Sequence, residues 1–237
     1  MSTILFLSPR IDDKKSYVNL SYYQLFKNQD VIPIILPYIM DKKKLLQILK
    51  MGNGLILCGG IDINPKYFQK KYQKSVYIDA LDQYDFLLLE LAIQLKMPVF
   101  GICRGLQVIN VYFHGSLTEH IENHMQTNHK IFFSNKDENI FNHFHDVEMV
   151  NSFHHQSILD LGHHLICCAK SQDGVIEAIY SKKYPIYAIQ WHCELLTNKK
   201  RQYQMILSFF KQCKQYRFKK NNSYITFLFH KVIMVIS

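Results

Sequence analysis

Residues 98–107 constrain the fold more than any other stretch of this chain. Pro98 opens an apolar run, Val99-Phe100-Gly101-Ile102, and Cys103-Arg104-Gly105-Leu106-Gln107 follows without a break. The run reads as a buried strand and the residues after Cys103 as the start of a helix, so a cysteine is left on a sharp strand-to-helix turn. Gly101 and Gly105 lack the side chains that would keep strand and helix apart at such a turn. A helix N-terminus favours negative charge, and therefore favours the thiolate of Cys103. The amide N–H of Arg104 would face the position where an acyl oxyanion forms. Cys103 is thus the candidate nucleophile.

The rest of the chain alternates in the manner this turn requires. Residues 4–7, 31–35, 55–57 and 99–102 read as buried strands, and 17–27, 42–50 and 81–96 carry helical spacing of apolar residues. Such alternation implies βαβ units and a mostly parallel sheet covered by helices on both faces. The second half is richer in strands, at 147–150, 165–169, 175–180 and 186–190, with Asp173-Gly174 as a turn and 200–214 as a closing helix. The 237 residues suit one domain. We divide the chain into a catalytic domain over 1–215 and a C-terminal extension over 216–237.

A thiolate needs a base and a group to orient it. Gln190-Trp191-His192-Cys193-Glu194 supplies both, with His192 just past the C-terminal end of an apolar strand, where open α/β sheets gather ligand groups. Glu194 can reach back to the imidazole and fix its tautomer. In Cys58-Gly59-Gly60, two glycines after a strand let backbone N–H groups turn into a site, and Gly60 is the candidate second oxyanion donor.

The bulk properties narrow the remaining classes. The net charge of +9 arises at the C-terminal end: residues 198–237 hold nine Lys and Arg and no acid, and the remaining 19 basic residues equal the 19 Asp and Glu. The body therefore gives no nucleic-acid signal. No apolar run reaches the length of a membrane span. Six cysteines without a signal peptide point to free thiols in a reducing cytoplasm. The His-rich spots, 143–145, 154–155 and 163–164, carry no recognised zinc spacing, so no metal and no cofactor are expected.

With these pieces assembled, the chain resembles the class I glutamine amidotransferases, and more narrowly the γ-glutamyl-γ-aminobutyrate hydrolase and γ-glutamyl hydrolase group. Gly59-Gly60-Ile61-Asp62 with Pro65, the acidic Asp82-Gln83-Tyr84-Asp85, the turn around Cys103, Asn151-Ser152-Phe153-His154-His155-Gln156 and Trp191-His192-Cys193-Glu194 follow the family's motifs in order. The resemblance implies an α/β, flavodoxin-like class I glutamine amidotransferase fold. It also implies a Cys103–His192–Glu194 triad, an oxyanion hole from the amides of Gly60 and Arg104, and substrate contacts from Gln107 and His155. The implied reaction is hydrolysis of the γ-glutamyl amide of a small compound through a thioester. A glutaminase subunit feeding ammonia to a separate synthetase is the alternative, and a regulatory relative without activity is the non-enzyme alternative. The expected partner is a small γ-glutamyl substrate, with a homodimer left open and no nucleic acid or membrane. Two departures stand out: Cys193 occupies the family's Pro position, and His114-Gly115 replaces a Gly-Gly pair.

Overall fold

The computed structural model describes residues 2–12, 14–68, 75–136 and 139–217. In chain order the strands are β1 (Thr3–Leu7), β2 (Arg10–Ile11), β3 (Ser16–Tyr17), β4 (Val31–Ile35), β5 (Gly54–Leu57), β6 (Val99–Ile102), β7 (Leu117–Thr118), β8 (Thr127–Phe133), β9 (Val147–Ser152), β10 (Ser157–Ile158), β11 (Leu165–Ser171), β12 (Ile176–Ser181) and β13 (Ile186–Ile189). The α-helices are α1 (Lys42–Leu49), α2 (Asp79–Gln94) and α3 (Arg104–Tyr112), and a fourth, α4, is described over 200–217.

Nine strands form the central sheet in the order β4-β1-β5-β6-β13-β12-β11-β8-β9. The ladders from β4 to β13 are parallel, and those from β13 to β9 are antiparallel. The parallel core carries the site, and the second half of the chain extends it as a meander. Helices cover both faces, and the period-2 alternation of the strands assigns each side chain to one of them. Leu5, Leu7, Ile56, Phe100, Ile102 and Ile189 face the side packed by α4 through Met205, Phe209 and Phe210. Phe6, Leu55, Leu57, Val99 and Ala188 face the side packed by α1, α2 and α3.

The register aligns the strand ends. Leu57 pairs with Gly101 and Ile102 with Ile189, so Cys58, Cys103 and Gln190 all leave the sheet at one edge. Segments 45 and 87 residues away from Cys103 along the chain thereby meet at the turn it occupies.

Two expected elements differ. Residues 17–27 do not form an α-helix: Ser16–Tyr17 joins a two-residue ladder, and Leu20–Phe26 is a 3-10 helix whose N-terminus no side chain caps. The tighter spiral buries Tyr22 and Leu25, three residues apart, on one side. In addition, α4 continues past residue 215. Tyr216 donates from its hydroxyl to Leu95 O (3.0 Å) and Arg217 from Nη1 to Ser2 O (2.6 Å). The rest of the proposed extension lies outside the described residues. Among those described, no helix is long and apolar enough to cross a membrane.

Candidate active site

Cys103 sits at φ 53° and ψ −105°, a conformation that costs a non-glycine residue free energy and that the surroundings must enforce. They do so from both sides. Its N–H donates to Ile189 O (2.8 Å), and a Cβ added at Gly105 would lie 2.2 Å from Leu57 O, so helix α3 is pressed against the sheet at a distance only glycine permits. Together, these contacts turn the cysteine out of the strand and over the sheet edge.

The His192 imidazole interacts with Cys103 on one side, and on the other its Nδ1 lies 2.6 Å from Glu194 Oε1. Burial opposes a charge on the imidazole, but hydrogen bonding and charge attraction from Cys103 and Glu194 together outweigh it and push its pKa up to about 10. The His192 backbone is clamped by one side chain. Its N–H donates to Asn151 Oδ1 (2.9 Å), and Asn151 Nδ2 donates back to its carbonyl (3.0 Å). Cys193, at the family's Pro position, opens a 3-10 turn with its side chain in the core. Burial drives its thiol pKa well up, so it is no second nucleophile.

Gln190 is a neighbour that the sequence did not single out. Its Nε2 donates to Cys103 Sγ (3.5 Å), and its Oε1 accepts from Gln107 Nε2 (3.3 Å). Gln107 also donates to Gln156 O (3.1 Å). The donor of Gln107 therefore orients Gln190, while its side chain lines the same cavity as Cys103. The only sequence signal for Gln190 was its place two residues before His192.

The glycine loop is tied down on the opposite side. The Gly59 N–H donates to the Tyr22 hydroxyl (2.7 Å), and its carbonyl accepts from Arg10 Nε (2.8 Å). A Cβ at Gly59 would come within 3.0 Å of the His192 ring. The Gly60 amide has no hydrogen-bond acceptor among the described residues. Beneath it runs the Arg104 side chain, fully buried, with Nη2 donating to Asp82 Oδ1 (2.5 Å) and Nη1 to Asp85 Oδ2. Asp82 Oδ2 accepts the Asn64 N–H (2.9 Å). One buried network thus fixes the start of α3 against the Gly59–Pro65 loop. Burial raises Asp85 to about 6, against the pull of Arg104.

The cavity above Cys103 holds about 260 Å³ and is lined by Gly60, Asp62, Gln107, Phe153 and His155, among others. At its mouth His155 Nε2 contacts Asp62 Oδ1 (2.7 Å), bridging the glycine loop to the 151–156 segment. All seven residues singled out from the sequence meet around this cavity or immediately behind it.

Residues 7–194 match the Peptidase C26 family. Among relatives, the chain is 34% identical over 203 residues to a glutamine amidotransferase-like protein of Lactococcus lactis subsp. lactis, covering 79% of this chain and 84% of that one. It is 31% identical over 186 residues to the γ-glutamyl-CDP-amidate hydrolase of Campylobacter jejuni, covering 77% and 82%. The fold superposes on a glutamine amidotransferase from Thermotoga maritima with a TM-score of 0.63 at 14% identity, covering 91% and 94% of the two chains. With 188 of its residues matched, from the end of β1 to Glu194, the chain belongs to the Peptidase C26 family, among the glutamine amidotransferase-like hydrolases.

Proposed function

We propose that this protein hydrolyses the γ-glutamyl amide bond of a small γ-glutamyl compound, with Cys103 as nucleophile, His192 as base and acid, and Glu194 as its orienting carboxylate. The observation that carries the reading is the succession of Cys103, His192 and Glu194 running back from a cavity that Cys103 lines, with the nucleophile held at positive φ.

The chemistry follows from the order of the groups. The Cys103 sulfur, with its proton held by His192, attacks the γ-carbonyl carbon, and the carbonyl π electrons move onto oxygen. The amides of Gly60 and Arg104 stabilise that oxyanion, an arrangement whose single donors are worth about 10²–10³ in rate. His192 passes its proton to the amine as the C–N bond breaks, leaving a γ-glutamyl thioester. It then takes a proton from water, which attacks the thioester and releases glutamate and the thiolate. Gln190, donating to sulfur, stabilises the anion before attack and after release. Glu194 keeps the proton-bearing Nδ1 turned away from sulfur, so that Nε2 does the transfer.

The amine half is the leaving group. A relative 31% identical is a γ-glutamyl-CDP-amidate hydrolase, so a nucleotide-bearing amine belongs in the test beside a small one. The experiment measures kcat/KM of the isolated protein for γ-glutamyl-γ-aminobutyrate, a γ-glutamyl nucleotide amidate and glutamine. The reading expects faster release from one of the first two, and loss of several orders of magnitude in Cys103→Ala. Preference for glutamine, or activity only in the presence of a second protein, would favour a glutaminase subunit.

A further inference from the structure

Behind the 151–156 wall of the cavity lies a buried group of side chains that the reaction does not use. His124 precedes β8, His154 follows β9 and Glu177 belongs to β12, and all three are buried. His124 Nδ1, His154 Nε2 and Glu177 Oε1 lie at mutual distances of 3.3, 3.6 and 3.7 Å. His129 adds its Nε2 at 3.1 Å from the same Glu177 oxygen.

The outer contacts fix the tautomers. His154 Nδ1 faces Gln156 O at 2.9 Å, and a carbonyl only accepts, so Nδ1 carries the hydrogen and Nε2 presents a lone pair inward. His124 Nε2 faces Asp173 Oδ2 at 3.0 Å, so by the same logic Nδ1 presents a lone pair inward. The Ser152 hydroxyl donates to His124 O (2.7 Å) and lies farther, 3.4 Å, from His124 Nδ1. Among the described residues no contact to either Glu177 oxygen has good hydrogen-bond geometry, although His129 Nε2 comes within 3.1 Å of Oε1. Two imidazole lone pairs and a carboxylate oxygen therefore converge on one point, with His129 Nε2 beside the carboxylate. An outer carboxylate or carbonyl on the far nitrogen of each imidazole is the support that metal-bound histidines use. The spacing also agrees: metal–ligand bonds of about 2.0–2.2 Å at tetrahedral angles put the ligand atoms roughly 3.3–3.6 Å apart. One proton bridges at most two of these three atoms, and none of the three separations is shorter than 3.3 Å.

We propose that His124, His154 and Glu177 bind a divalent cation of the zinc class, as a brace for the cavity wall and not as part of the reacting centre. The ion would tie together three segments separated by 30 and 23 residues, a spacing that no local sequence motif displays. His154 also lines the cavity, and the Glu177 carbonyl accepts the Gln190 N–H (2.8 Å), so the brace sits directly behind the groups that face the Cys103 sulfur.

The test is titration of the full-length, chelator-stripped protein with Co²⁺ as a spectroscopic probe, followed by Zn²⁺ displacement. We expect one Co²⁺ per chain, with visible d–d bands of a low-coordinate nitrogen and oxygen site and no sulfur-to-metal charge transfer in the near ultraviolet. Zn²⁺ should raise the melting temperature and EDTA should reverse the rise. Glu177→Gln and His154→Asn should each weaken binding at least tenfold, and Cys103→Ser should leave it unchanged. Absence of stoichiometric binding in the wild-type protein would overturn the proposal. So would a sulfur charge-transfer band, or binding lost in Cys103→Ser, since either would place the ion on the triad. These wild-type spectra decide the matter even where a cluster variant fails to fold.

Discussion

Asn151 offers the sharpest test of how the triad is held. It is 6% exposed, and its amide makes two hydrogen bonds to the backbone of His192, at 2.9 and 3.0 Å. No other described side chain grips that backbone. Asn151→Ala removes both bonds, leaving the His192 N–H unpaired and its carbonyl with the Leu195 N–H alone. At a net 0.5–1.5 kcal/mol for each, about 1–3 kcal/mol of support disappears. If that support acts fully in the transition state, kcat/KM falls roughly 5- to 150-fold, because about 1.4 kcal/mol corresponds to a factor of ten. The assay compares kcat/KM on a γ-glutamyl amide with the rate of Cys103 alkylation by iodoacetamide, alongside circular dichroism and thermal melting. Lower turnover and slower alkylation in a folded variant are expected, because the imidazole that partners the sulfur has lost its anchor. A variant that melts earlier but keeps full kcat/KM and alkylation rate would refute the reasoning, reducing the clamp to a contribution to stability.

The other groups give further expectations. His192→Ala should damage turnover almost as much as loss of Cys103, and Glu194→Gln less, since His192 moves the proton and Glu194 orients it; the reverse order in kcat would invalidate the assigned roles. Because its partners raise His192 to about 10, the imidazolium persists across neutral pH, and a kcat/KM profile should hold to near that value and fall above it as the proton is lost. A profile falling already near pH 7 would contradict the pairing. Gly60→Ala would place a Cβ 2.8 Å from Arg104 Cδ, on a side chain that two carboxylates prevent from swinging aside, so the loop must shift and turnover should drop by roughly 10²–10³ without loss of fold. Deleting 218–237 should leave kcat/KM unchanged, because the matching motifs end at Glu194 and α4 keeps its contacts through Arg217.

Much of this architecture was legible because the residues that specify it are local. The apolar run into Cys103, the two glycines after β5 and the His-x-Glu after β13 each announce a strand end, and the parallel register does the rest. Less legible was what depends on pairing across distance. Strand β8 opens Thr-Asn-His-Lys, and its polar residues cover an antiparallel ladder instead of an apolar face, so no alternation marks it. Residues 17–27 have helical spacing, yet Tyr22 must bring its hydroxyl to the Gly59 amide, and a tighter spiral does so. Gln190 carries no signature of its own; only the fold shows its amide held between Gln107 and the Cys103 sulfur.

The substitution at position 193 shows how the site tolerates a lost constraint. A proline between His192 and Glu194 would preset one backbone angle of the turn that carries both triad partners. Here that turn is built from three other supports. Leu195 N–H and Leu196 N–H close it onto the carbonyls of His192 (3.2 Å) and Cys193 (2.9 Å). The Cys193 side chain anchors it in the core beside Trp191, whose Nε1 donates to Gln202 Oε1 of α4 (2.9 Å). Asn151 then holds the residue before it by both backbone groups. The turn that proline would help to preset is thus held by packing and by hydrogen bonds within it and from β9. It follows that the geometry of this triad depends on the second half of the sheet, the half whose wall His124, His154 and Glu177 brace.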